Sequence, residues 1–191
     1  IILGVAGLSI SYPGSTPEFG GSGRVVIILD NSMSMSLMDG GSTLLMRART
    51  DATQVVQSLP EGTLVGLVVF SSEASRVIPS LTADHARILS RLEAVQPTNG
   101  TSNLRGALLE SRRLLGGESG EVLLFSDEAG PRIVTEALNE LERLVETGST
   151  VIPRRVSGDP PRNVAVTSAV YGDGIEGGQV TLRISNFGPD P

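Results

Sequence analysis

Apolar residues fall along this chain in two alternating rhythms. One is a short unbroken run that ends abruptly in polar residues, and the other is a longer stretch with apolar residues at helical spacing. The runs Val25–Leu29, Leu64–Phe70 and Glu121–Phe125 read as strands buried on both faces. Between them, Leu45, Ala48, Ala52, Val55, Val56 and Leu59 predict a helix that stops at Pro60. Thr82 is placed to cap a second helix, with Ile88, Leu89, Leu92 and Val95 on its apolar face. Leu104, Ala107, Leu108, Ser111, Leu114 and Leu115 predict a third, capped by Asn103, and Ala137, Leu138, Leu141, Leu144 and Val145 a fourth, closed by Gly148. Arg76-Val77-Ile78-Pro79 reads as a short edge strand, where proline is tolerated, and Thr150-Val151-Ile152 starts a last one. Met35 to Thr43 and Gln96 to Asn103 read as loops. The order β-α-β-β-α-α-β-α-β predicts an α/β fold, a doubly wound, mostly parallel sheet flanked by helices.

The rhythm differs at both ends. Ile1–Ile10 is apolar, too short for the roughly 20 residues that cross a bilayer, and lacks the basic flank of a signal peptide. It reads either as an edge strand or as the tail of a transmembrane helix that begins upstream. Tyr12 to Gly23, rich in Gly, Ser and Pro, reads as a linker. Beyond Ser157-Gly158-Asp159-Pro160-Pro161 the period becomes two, in Asn163–Tyr171 and Gln179–Asn186, as in an antiparallel sheet. A lone hairpin is marginal in water. The expected organisation is therefore residues 1–23 as the end of a membrane segment plus linker, 24–156 as the α/β domain, 157–162 as a linker and 163–191 as the start of a β-sandwich-like domain. The alternative makes the last two strands part of the first domain.

Composition narrows the chemistry. At 191 residues with 39% hydrophobic content the chain builds a core, but aromatics are 3% and Trp is absent, so that core is aliphatic. The net charge of −6 argues against nucleic acid, which needs a basic face. The absence of cysteine excludes thiolate chemistry, zinc–cysteine sites and disulfides. The single histidine, His85, lies in the polar stretch Asp84-His85-Ala86-Arg87 and reads as a solvated surface residue, which argues against a Ser-His-Asp hydrolase. Arg47, Arg49, Arg112 and Arg113 read as solvated helix faces. Met33, Met35, Met38 and Met46 read as core packing and loop filling, with a hydrophobic rim for a partner as the alternative.

The candidate chemistry follows the first strand. Asp30, Ser32 and Ser34 form Asp-x-Ser-x-Ser, one carboxylate and two hydroxyls at alternate positions. In an extended segment these point the same way, at the carboxyl edge of a sheet, where open α/β folds place ligands. Oxygen-only ligation suits a hard divalent cation, magnesium first. Two more loops fall at the same edge: Asn99-Gly100-Thr101-Ser102-Asn103, before a helix, and Ser126-Asp127-Glu128, after a buried strand. With all three in this order, residues 24–156 resemble a von Willebrand factor type A domain with a metal-ion-dependent adhesion site. The resemblance implies a Rossmann-like fold and a metal set of Asp30, Ser32, Ser34, Thr101 and Asp127. It also implies Mg2+, with Mn2+ or Ca2+ as alternatives, and a partner protein whose Glu or Asp completes the coordination.

Two departures stand out. Glu128 occupies a position where the family commonly has Gly, and Arg154-Arg155-Val156 runs into Pro160-Pro161 where the family usually adds another strand and helix. In layout the chain is similar to bacterial membrane proteins of the aerotolerance type, which implies an N-terminal anchor and a domain on the periplasmic face of the inner membrane. The leading expectation is a noncatalytic, metal-dependent interaction domain. One rival is a phosphoryl-transfer enzyme with Asp30 as nucleophile. It lacks an acidic residue at position 32 to act as proton donor, any lysine (all 15 basic residues are Arg) and the glycine-rich nucleotide motifs. The other rival is a metal-independent scaffold.

Overall fold

The computed structural model describes residues 23–127, 132–156, 164–174 and 177–186. The calls on Ile1–Ile10, on the linker from Tyr12, on residues 157–162 and on Glu128 fall outside them. The chain divides into two compact units, Ile1–Val156 and Ser157–Pro191.

In the first unit the elements run β1 (Arg24–Asp30), β2 (Met38–Asp39), β3 (Ser42–Thr43), α1 (Leu44–Ser58), β4 (Leu64–Phe70), β5 (Ala74–Arg76), α2 (His85–Glu93), α3 (Leu104–Leu115), β6 (Glu121–Ser126), α4 (Arg132–Glu146) and β7 (Thr150–Arg155). Five strands form one sheet in the order β5-β4-β1-β6-β7, with only β5 antiparallel. This is the expected doubly wound α/β architecture.

The parity of β1 builds both cores. Val25, Ile27 and Leu29 pack with Leu45, Ala48, Ala52 and Val56 of α1 and Ile88 and Leu92 of α2. Val26 and Ile28 face the other way, toward Ala107, Leu108 and Leu115 of α3 and Leu144 of α4. Successive side chains of a strand point to opposite faces, so a central strand covered on both sides has no place for a polar residue until it ends. Asp30 is that end.

Several local expectations are corrected. The predicted loop from Met35 to Thr43 opens inside a 3-10 turn, Met33–Ser36, and contains the small antiparallel hairpin β2–β3. The edge strand lies at Ala74–Arg76 rather than Arg76–Pro79, because Ser71 N–H donates to the Glu73 carbonyl, closing a tight turn that starts the pairing early. Thr82 does not cap α2. Its N–H and C=O both pair with Val65, extending the sheet, and the cap is Asp84, whose carboxylate accepts from Arg87 N–H at 3.0 Å. His85 is half-buried, one ring nitrogen lying 2.8 Å from the Thr63 carbonyl oxygen. Arg112 is tied to the buried Glu140 across the α3–α4 contact, so it is no solvated face.

Among the described residues β7 has a single sheet neighbour, β6. The N–H groups of Thr150 and Val156 donate to Gly120 and Ser126, so the even positions face β6 and the odd ones face outward. Pro153 therefore sits where its missing N–H falls on the open edge, a common protection against unwanted strand pairing.

In the second unit β8 (Val164–Gly174) and β9 (Gly177–Asn186) pair antiparallel, with an irregularity between Val166 and Ser168.

Candidate metal centre

The sheet order places a topological switch point beside β1. The chain runs outward through β4 and β5 on one side, then returns to β6 and β7 on the other. Ligands of open α/β sheets bind in the crevice this reversal leaves at the carboxyl ends of the strands. Asp30 ends β1, Ser126 ends β6, its neighbour on the returning side, and Asp127 follows directly.

Asp30 is fully buried, with both carboxylate oxygens engaged. Ser32 N–H donates to Oδ1 at 2.9 Å, and the hydroxyls of Ser102 and Ser126 donate to Oδ2 at 2.9 and 2.8 Å. The Ser32 and Ser34 hydroxyls lie 3.2 Å apart. Their convergence comes from the 3-10 turn that begins at Met33, not from the extended segment expected, since Ser34 lies inside that turn.

Asn31 ties the first loop to the second. Its side-chain amide donates to the Gln96 carbonyl at 2.9 Å, and its own carbonyl accepts from Thr98 N–H. Met33 N–H donates to the Gly100 carbonyl. Gly100 must be small, because a Cβ there would stand 2.9 Å from the Ser72 backbone nitrogen. The second loop is held from below by the β4–β5 turn: Ser71 C=O accepts from Asn103 N–H, and Ser72 Oγ from Thr101 N–H.

This loop delivers Ser102, not the expected Thr101, to the cluster. Ser102 Oγ lies 2.9 Å from Asp30 Oδ2 and 3.1 Å from Ser32 Oγ. Thr101 is exposed, and the contact seen for it is its N–H on Ser72. Asn103 then caps α3 as expected, accepting from Gly106 N–H at 3.0 Å. Asp127 is buried one residue past β6. Thus Asp30, Ser32 and Ser34 come together, Ser102 joins them, and Asp127 stands at the adjoining strand end. Ser102, Ser126, Asn31 and Ser72 were not singled out from the sequence.

Burial pushes the Asp30 carboxyl above the usual carboxylate range, against the pull of its hydrogen bonds from Ser32, Ser126 and Ser102. A desolvated carboxylate ringed by hydroxyls fits a cation. Each hydroxyl that donates to Asp30 keeps lone pairs for another electrophile, and a second carboxylate ends the next strand. No group of three or more His, Asp or Glu that could hold a metal occurs among the described residues, so a cation here would rest on two carboxylates plus hydroxyls. That donor set suits a hard ion that retains waters.

Residues 25–130 match the sequence profile of the von Willebrand factor type A domain. The chain belongs to that family. The fold of this von Willebrand A domain is shared with solved structures. The conserved hypothetical protein BatB from Bacteroides thetaiotaomicron matches at 21% identity and a TM-score of 0.64, over 86% of this chain and 80% of BatB. An aerotolerance-related membrane protein from Bacteroides fragilis matches at 20% identity and 0.63, over 86% of this chain and 81% of its own. Proximal thread matrix protein 1 of the mussel byssus matches at 22% and 0.55, over 68% of this chain and 36% of its own. No curated protein matches by sequence.

Proposed function

We propose that this von Willebrand A domain is a noncatalytic protein-interaction module that engages an acidic residue of its partner through a divalent cation, magnesium first. The observation that carries this reading is the convergence of Asp30, Ser32, Ser34 and Ser102 at the switch point, beside Asp127. Asp30 and Asp127 offset the charge of the ion. Ser32, Ser34 and the second-loop hydroxyl hold it without quenching it further, that hydroxyl being Ser102 by geometry and Thr101 by family resemblance. A bound cation supplies an open position that a partner's carboxylate fills in place of water.

The same geometry disfavours phosphoryl transfer. Asp30 is buried with both oxygens accepting hydrogen bonds, and position 32 is Ser, so an exposed nucleophile and the acid that would follow it are missing. We further place the domain on a membrane-anchored bacterial protein, facing the periplasm, with residues 163–191 opening a second β-rich domain. The layout of the sequence supports this. Among the described residues no helix is long and apolar enough to cross a membrane.

Calorimetric titration of magnesium, and separately manganese, into the metal-free protein tests the reading. One saturable site, lost in Asp30→Ala while the fold persists, is the expected result. No binding by the wild type overturns the metal. Phosphatase turnover that disappears in Asp30→Ala overturns the noncatalytic assignment.

A further inference from the structure

The methionines do not behave as the sequence predicts. Met35 is fully buried under α1, but Met33, Met38 and Met46 are 63%, 67% and 57% exposed, and Leu37 is 39% exposed. Among the described residues the one other large exposed apolar side chain is Leu138, on α4. The exposed large apolar side chains are thus concentrated in one stretch of the chain, Met33 to Met46, which leaves the Asp30 cluster; Met46, on α1, also borders the groove between α1 and α2. Met33 stands between Ser32 and Ser34 and is hydrogen-bonded to Gly100 of the second loop.

This surface is built. Arg47 clamps the β2–β3 hairpin that carries Met38. Its Nη1 donates to Asp39 Oδ2 at 2.6 Å, its Nε to Ser42 Oγ at 3.1 Å, and its Nη2 to the Asp39 carbonyl. Gly40 and Gly41 turn the hairpin at φ 58° and 91°, and a Cβ on Gly40 would meet the Arg47 guanidinium at 2.8 Å. Leu44 N–H donates to the Leu37 carbonyl, and Thr43 caps α1 by accepting from Met46 N–H. Large apolar side chains held in water on an ordered scaffold mark an interaction surface, and methionine adapts to varied apolar partners.

We propose that Met33, Leu37, Met38 and Met46 form the apolar half of the docking site whose polar half is the metal centre. The occupant is a partner-protein segment in which an acidic residue is flanked by large apolar side chains. The inference rests on the metal-dependent reading and adds what stands beside the acid. Charge supports it, because a chain of net charge −6 with two site carboxylates repels an acid unless a cation is present. A second copy of the same surface is a poor occupant. Its one carboxylate between Asn31 and Met46 is Asp39, already committed to Arg47, so it would offer apolar contacts but no acid.

The test uses two labelled peptide pools with a central Asp or Glu, flanked either by Leu, Met and Phe or by Ser, Thr and Gln. Binding is read by fluorescence anisotropy with magnesium and with chelator. The variants are Met33→Ser/Met38→Ser/Met46→Ser and, as rescue, the same positions changed to Leu. We expect the apolar pool to bind about tenfold tighter or more in magnesium, as burial of even one large side chain requires. That preference vanishes in the Ser variant and survives in the Leu variant, and both variants bind magnesium as the wild type does. Equal binding of the two pools, or no binding of either, by magnesium-loaded protein overturns the apolar rim and leaves the metal reading intact. Binding of the apolar pool that ignores chelation, or a methionine-dependent dimer in sedimentation, overturns the assigned occupant. A failure of magnesium to bind without peptide overturns both readings.

Discussion

Asp30 shows how one residue becomes a site. It sits where the apolar run Val25–Leu29 ends and is fully buried, yet its oxygens meet one backbone N–H and two hydroxyls. An ionised carboxylate in that position costs folding free energy without a cation, which is the sense of its upward-shifted pKa. The hydroxyl beside it is decided by the second loop, where Thr101 and Ser102 are adjacent and chemically alike. In the sequence either could serve. In the structure it is the Ser102 hydroxyl that reaches Asp30, while Thr101 is exposed and its N–H donates to Ser72. Ser102→Ala should therefore weaken magnesium binding about tenfold or more, while Thr101→Val should stay within about twofold of wild type, both read by calorimetry. The reverse result would return the ligand to Thr101.

At the scale of elements, hydrophobic period identified every long strand and helix of the first unit, because burial on both faces leaves a strong pattern. It failed where a polar stretch takes structure from tertiary contacts. The β2–β3 hairpin has no apolar rhythm and exists through Arg47, which reads as surface charge until its partners Asp39 and Ser42 are known. Thr82 resembles a helix cap until the sheet claims its backbone. Arg47→Ala should cost about 1 kcal/mol of global stability, since the clamp is half-exposed. Its larger effect should be local, with faster amide hydrogen exchange over residues 38–43 and unchanged exchange in β1. Equal acceleration in both would make Arg47 a global strut instead.

At the scale of the molecule, the two core clusters are drawn from residues 25–156 and enclose both faces of one sheet. Residues 24–156 should therefore fold alone, melting in one cooperative transition, with magnesium affinity within about twofold of the longer chain. A fragment that fails to fold would show that β7 needs more than Pro153 to stand as an edge. The alternation of runs and helical stretches was enough by itself to determine the α/β class, the strand–helix order, the aliphatic core and the presence of Asp30 and Asp127 at strand ends. Those depend on local pattern and burial. Only the tertiary structure decided which hydroxyl of the second loop reaches Asp30, that Ser126 joins it, that a hairpin follows the first loop, and that three of the four methionines face water. The first two depend on residues distant in sequence arriving at one strand end, and no local pattern records that arrival; the last two depend on side-chain pairing and packing that the apolar rhythm does not encode.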